Sequence, residues 1–107
     1  MITVRFHKKG DLLVGFDIRG HANYRRGKDD IVCASVSSAA YMTVNAVTDV
    51  LFCKANVSAS DEGKMDFLLL DEDNRSALDM IKALEFHLSN LAKDYPKNLK
   101  VIFTTEV

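Results

Sequence analysis

The run IVCASVSSAAYMTVNAVT, Ile31–Thr48, decides the fold. It holds eighteen residues without a charge, close to the length of a membrane-spanning helix. Yet Ser35, Ser37, Ser38, Thr43, Asn45 and Thr48 lie within it, and much of the remainder is Ala and Val. Val36, Ala40, Val44, Val47 and then Leu51 recur at three- and four-residue steps, which draws one apolar stripe along a helix. Ala34, Ala39 and Ala46 are small enough to let that helix lie close on a sheet. The run therefore reads as the buried helix of a water-soluble domain, and its flanks should supply the sheet.

Upstream they do. Ile2, Val4 and Phe6 alternate with Thr3, Arg5 and His7, and after Lys8-Lys9-Gly10-Asp11 the alternation resumes in Leu12, Val14, Phe16 and Ile18. That is a hairpin with one apolar face. Residues 19–30, RGHANYRRGKDD, carry no apolar period and read as a long surface loop, a length that is uncommon without a function. Such a loop has few apolar contacts, so it should be mobile alone and ordered by a bound peptide. Downstream, Ala55, Val57 and Ala59 and then Met65, Phe67 and Leu69 alternate about a turn at Ser60-Asp61-Glu62-Gly63. Asp73 or Asn74 can cap a second helix whose inner face is Leu78, Ile81, Leu84, Leu88, Leu91 and Tyr95, stopped by Pro96. Leu99, Val101 and Phe103 form a last strand. The order ββαββαβ predicts a single α+β domain over 1–107, two helices against a largely antiparallel sheet.

The chain has 107 residues, 48% of them hydrophobic and 27% charged, enough for one core and no second. Fourteen basic against fifteen acidic residues leave a net charge of -1, which argues against nucleic acid or a membrane surface as a direct partner. Two cysteines, Cys33 and Cys53, make no disulfide framework. His7 and His87 lack ligand spacing, so no metal site is expected, and chemistry by a Cys and a His requires no organic cofactor. The N-terminus MITVRFHKKG has no signal-peptide run, and a reducing, cytoplasmic setting follows.

One group of residues has reactive potential. The loop and the following helix start bring together His21, Asp30, Cys33 and Ser37. A thiol attacks only as thiolate, and both a helix N-terminus and a nearby imidazolium favour that form. Backbone N–H groups at the same terminus can hold an oxyanion. Each residue also has a plainer reading: Cys33 as a small packed hydrophobe, His21 as a solvated side chain, Asp30 as the helix N-cap and Ser37 as a packing residue. Cys53 reads as a packing residue. A non-catalytic ribosome- or RNA-binding module would use the basic tip Arg25, Arg26 and Lys28, against the near-neutral total charge. A redox sensor would need only Cys33 and a resolving thiol.

The string Gly20-His21-Ala22, Tyr24, Gly27, Asp30-Ile31-Val32-Cys33-Ala34, Val36-Ser37 resembles the ribosomal-processing cysteine protease family Prp. Length and element order agree along the whole chain, and residues 20–37 carry the motifs. The resemblance implies that His21 is the base and proton donor and Cys33 the nucleophile. Gly20, Ala34, Asp30 and Ser37 would support them, and Tyr24 and Gly27 would belong to the substrate loop. It further implies a homodimeric cytoplasmic endopeptidase that removes the N-terminal extension, ending in aromatic residues, of a large-subunit ribosomal protein. Asp29 beside Asp30, and the Arg25-Arg26 tip, depart from the family pattern. Tyr24, Tyr41 and Phe16 are the aromatic side chains closest in sequence to such a site.

Overall fold

Strict alternation produces the first hairpin. In the computed structural model, which describes residues 1–20, 28–60 and 63–105, β1 (Ile2–Lys9) pairs antiparallel with β2 (Leu12–Arg19). Gly10, at φ 62°, supplies the left-handed residue that the turn needs. Helix α1 spans Lys28–Asn45, and the chain continues as a π-helical turn over Ala46–Val50. Then come β3 (Ala55–Ser60), β4 (Lys64–Leu69), α2 (Arg75–Asp94) and β5 (Leu99–Thr104). The ββαββαβ order is as the periodicities predict. The sheet order is β3-β4-β2-β1-β5, antiparallel throughout except for the parallel β1–β5 pair.

One face of the sheet carries the core. Val4, Phe6, Phe16, Phe67 and Leu69 are fully buried there with Val32, Val36 and Ala40 of α1 and Ile81 and Leu88 of α2. Each of these Val, Leu, Ile and Phe side chains contributes about 1.5–3 kcal/mol by leaving water. The polar residues of the charge-free run are accommodated locally. Ser35, Thr43 and Thr48 donate to the carbonyls of Ile31, Ala39 and Val44, at 2.8, 2.9 and 2.9 Å. Each hydroxyl thus satisfies itself on the preceding turn. Asn74 caps α2, its Oδ1 accepting from the Ala77 N–H at 3.0 Å.

Two boundaries differ from the sequence reading. Arg19 belongs to β2, and α1 begins at Lys28, so the expected loop 19–30 is shorter at both ends. Residues 21–27, the rest of that loop, lie outside the described residues, and its expected mobility with them. Asp30 is within the first turn of α1 and so is not its N-cap. Propensity ends the loop at the first apolar residue, but polar residues are readily taken into a first helical turn.

The opposite sheet face is polar. Asp17 is buried on it: Arg5 Nε donates to its Oδ1 at 2.9 Å, and the His7 Nε2 lies 3.3 Å from its Oδ2. His7 Nδ1 is 2.9 Å from the Thr104 hydroxyl. The Arg5↔Asp17 register of the hairpin makes this pair.

Candidate functional site

Where strand ends meet the start of α1, the structure forms a small cavity of about 50 Å³. Cys33, Val36, Ser37 and Tyr41 enter it from α1. Ile2 comes from β1, Ile18 and Gly20 from the end of β2, Ser60 from the end of β3, Gly63 from the turn after it, and Lys64 and Met65 from the start of β4. Cys33 is partly buried and packs against the core, whereas Ser37, one turn further on the same helix face, is exposed. Larger depressions lie elsewhere among the described residues, about 700 Å³ between α1 and α2, about 440 Å³ around His7 and about 420 Å³ along residues 70–74. None of these three is lined by a cysteine, so none offers a nucleophilic thiol.

Gly20 is there for a backbone reason. Its φ is 96°, and a methyl group on it would overlap the carbonyl oxygen of Met1. Only glycine lets β2 end this close to the first residue of the chain and then turn away. The residue that follows it, His21, and the proposed loop residues Tyr24 and Gly27 lie outside the described residues.

Cys33 is the sixth residue of α1. An α-helix leaves the N–H groups of its first turn without intrahelical partners, here those of Lys28, Asp29 and Asp30. The Cys33 N–H is beyond them, within the ladder. Donors for an oxyanion would therefore come from the turn preceding the thiol, not from the amide of Cys33 itself.

Other expected members separate. Ala34 is exposed and faces the depression between the helices, away from the Cys33 cavity. Phe16 is fully buried between Phe6 and Phe67, ring centroids 5.9 and 5.3 Å away, and so is a core residue with no surface for a substrate. Tyr41 does line the cavity. Cys53 is buried after α1, its thiol 3.8 Å from the Leu51 carbonyl oxygen. Burial, and then the Asp71 carboxylate, push that thiol above its ordinary range. Both effects disfavour a reactive thiolate.

Ser60, Gly63, Lys64 and Met65, around the β3–β4 connection, are cavity residues that the sequence alone does not point to. No local signal marks them. Only the Ile18↔Met65 pairing brings this turn beside the end of β2.

Comparison with known proteins gives a consistent result. The profile of the family described as cysteine protease Prp matches residues 1–100. The chain is 28% identical over 102 residues to the ribosomal processing cysteine protease Prp of Bacillus subtilis (strain 168), covering 91% of this chain and 89% of that one. The crystal structure of SMU.848 from Streptococcus mutans superposes with a TM-score of 0.90 at 25% identity, covering 99% of this chain and 96% of that one. The essential ribosomal processing protease Prp from S. aureus, solved with a covalently linked product peptide, shares the fold with a TM-score of 0.87 at 23% identity. That match covers 97% of this chain and all of the other.

Proposed function

The chain belongs to the cysteine protease Prp family, and from that premise we propose that it is the endopeptidase that trims the N-terminal extension of a large-subunit ribosomal protein. The observation that carries this reading is a juxtaposition. Gly20, which His21 follows directly in the chain, and the thiol-bearing Cys33 are walls of one cavity. The relatives named for ribosomal processing support the choice of substrate.

In the proposed reaction His21 takes the Cys33 proton, and the thiolate attacks the scissile carbonyl carbon. A C–S bond forms, and the oxyanion is held by free N–H groups of the first α1 turn. The imidazolium of His21 then protonates the leaving amine as the C–N bond breaks, which frees the mature N-terminus. Water adds to the thioester, the C–S bond breaks, and the extension leaves with a new carboxylate while the thiol–imidazole pair is restored. Asp30 and Ser37 are proposed to support the pair, and Tyr24 and Gly27 to contact the substrate. None of these steps calls on a metal or an organic cofactor. The proposal includes a homodimer acting in the cytoplasm, where reducing conditions keep Cys33 and Cys53 as thiols.

The test incubates the protein with the full-length ribosomal precursor of the same organism and sequences the new N-terminus. Wild type should cut once, and Cys33→Ala and His21→Ala should not cut while remaining folded. An untouched precursor would overturn the protease reading and favour a binding module. Sedimentation of the purified protein tests the dimer.

A further inference from the structure

Strand β3 is an edge of the sheet, and it runs directly into the Cys33 cavity through Ser60. Which of its backbone groups are free follows from its pairing. The Leu70 N–H donates to the Lys54 carbonyl at 2.9 Å, just before β3 begins, and the register then continues unbroken from Ala55↔Leu69 to Ser60↔Lys64. Antiparallel ladders alternate hydrogen-bonded with non-bonded pairs. Asn56, Ser58 and Ser60 therefore direct their N–H and C=O groups to β4, and those of Ala55, Val57 and Ala59 point outward.

Among the described residues this edge carries none of the usual protection. Proteins shield free strand edges with charges, proline or bulges. The sequence ANVSAS of β3 has no charge and no proline, and its register with β4 has no shift. The other edge, β5, carries Lys100 and contributes nothing to the Cys33 cavity. On the helix-facing side, Val57 remains 46% exposed. Tyr41, 48% exposed, stands on that same side, beside the cavity. The other side of β3 presents Asn56 and Ser58. An unshielded edge, apolar on one side and polar on the other, that leads to a thiol fits an extended peptide with alternating character.

We propose that the substrate segment joins β3 as a sixth strand, bonded to the outward N–H and C=O groups of Val57 and Ala59, with its scissile bond at Cys33. The proposal rests on the protease reading above. Alternate substrate side chains then fall beside Val57 and Ala59 and toward Tyr41, which makes those three the specificity surface for large apolar residues. The side chains between them lie beside Asn56 and Ser58.

Two arms test it, both using a short peptide that spans the precursor junction. Val57→Pro and Ala59→Pro each delete an outward donor and leave every β4-directed donor in place. Each should lower kcat/KM by roughly two- to tenfold, mostly through KM, because one hydrogen bond is lost. Alkylation of Cys33 by iodoacetamide should continue at the wild-type rate. The second arm leaves the protein unaltered: single backbone N-methylations are walked along the peptide. Cleavage should fall at every other position and persist between them, a period-two pattern that a side-chain-only site would not give. Folded proline variants with wild-type kcat/KM, or N-methyl sensitivity without that period, would overturn the edge proposal and leave the protease reading standing. A variant that loses its partner subunit yet cleaves normally would overturn it too, and assign the edge to the dimer. Wild type that cuts no precursor would remove the protease reading and this inference with it.

Discussion

Three glycines allow the backbone around the site to be probed by one substitution, to alanine. Gly10 and Gly20 both have positive φ, 62° and 96°, but a methyl group at Gly10 meets nothing within 4 Å, while at Gly20 it overlaps the Met1 carbonyl. Gly15 has ordinary extended backbone, and its methyl would overlap the Phe67 carbonyl of β4. Left-handed backbone costs an L residue about 1–2 kcal/mol. The stiffer unfolded chain returns about 0.4–1 kcal/mol. Gly10→Ala should therefore lose about 0.5–1 kcal/mol and lower Tm by about 3–6 °C. Gly20→Ala adds the overlap, about 1–3 kcal/mol for an overpacked contact, so its Tm should fall by roughly 10–20 °C. Gly15→Ala should fall comparably by forcing β2 from β4. The distinguishing assay is cleavage of the precursor at a temperature where all three variants are folded. Of these three only Gly20 lines the Cys33 cavity, and displacing a reacting group by about 1 Å can cost about 10²-fold. Gly20→Ala should show such a loss in kcat/KM, and Gly10→Ala and Gly15→Ala should stay near wild type. Equal activity in all three would refute the claim that the end of β2 positions the chemistry.

Iodoacetamide at neutral pH should label Cys33 well ahead of Cys53, as read by mass spectrometry, because burial and Asp71 hold the Cys53 thiol protonated; equal rates would count against this. His21→Ala should slow labelling of Cys33 alone. Glu85 on α2 is buried, which alone raises a carboxyl's pKa, but hydrogen bonds from Lys82 and Ser89 at 2.9 and 2.7 Å outweigh that and hold it below its ordinary value. Its stabilising contribution is then present above the unfolded carboxylate range and lost as pH falls through the lower folded value. Chemical denaturation should accordingly show wild type losing more stability on acidification than Glu85→Gln, and parallel pH profiles would contradict the assignment. Phe52 follows the π-helical turn at φ 55° and is 83% exposed, with the Cys53 N–H closing on the Val47 carbonyl at 3.0 Å. That is a helix-terminating position suited to glycine, so Phe52→Gly should gain about 1 kcal/mol in a thermal melt; an unchanged or lower Tm would mean that the exposed ring has a packing role.

Much of this protein was legible in its residues because the relevant physics is local. Period two in Ile2–Phe6, Leu12–Ile18 and Met65–Leu69, and the three-and-four spacing of Val36, Ala40, Val44 and Val47, assign strands and a helix from which side chains can share a face. A cap such as Asn74 needs only its own next turn. The string around His21 and Cys33 likewise singles out the proposed pair without any contact being known. Tertiary structure decided what depends on neighbours distant in sequence. Periodicity names the inner face of a strand but not the strand beside it, so neither the parallel β1–β5 pair nor the exposed β3 edge could be read from alternation. Phe16 and Tyr41 are equally aromatic in the sequence; one is enclosed by Phe6 and Phe67 and the other opens on the Cys33 cavity, because sheet order and helix placement differ around them. The same holds for Ser60 and Lys64, which reach the Cys33 cavity only through the β2–β4 register. Chemistry is carried by single residues, but an enclosed volume is bounded by many segments at once, and only the packed chain specifies which ones meet.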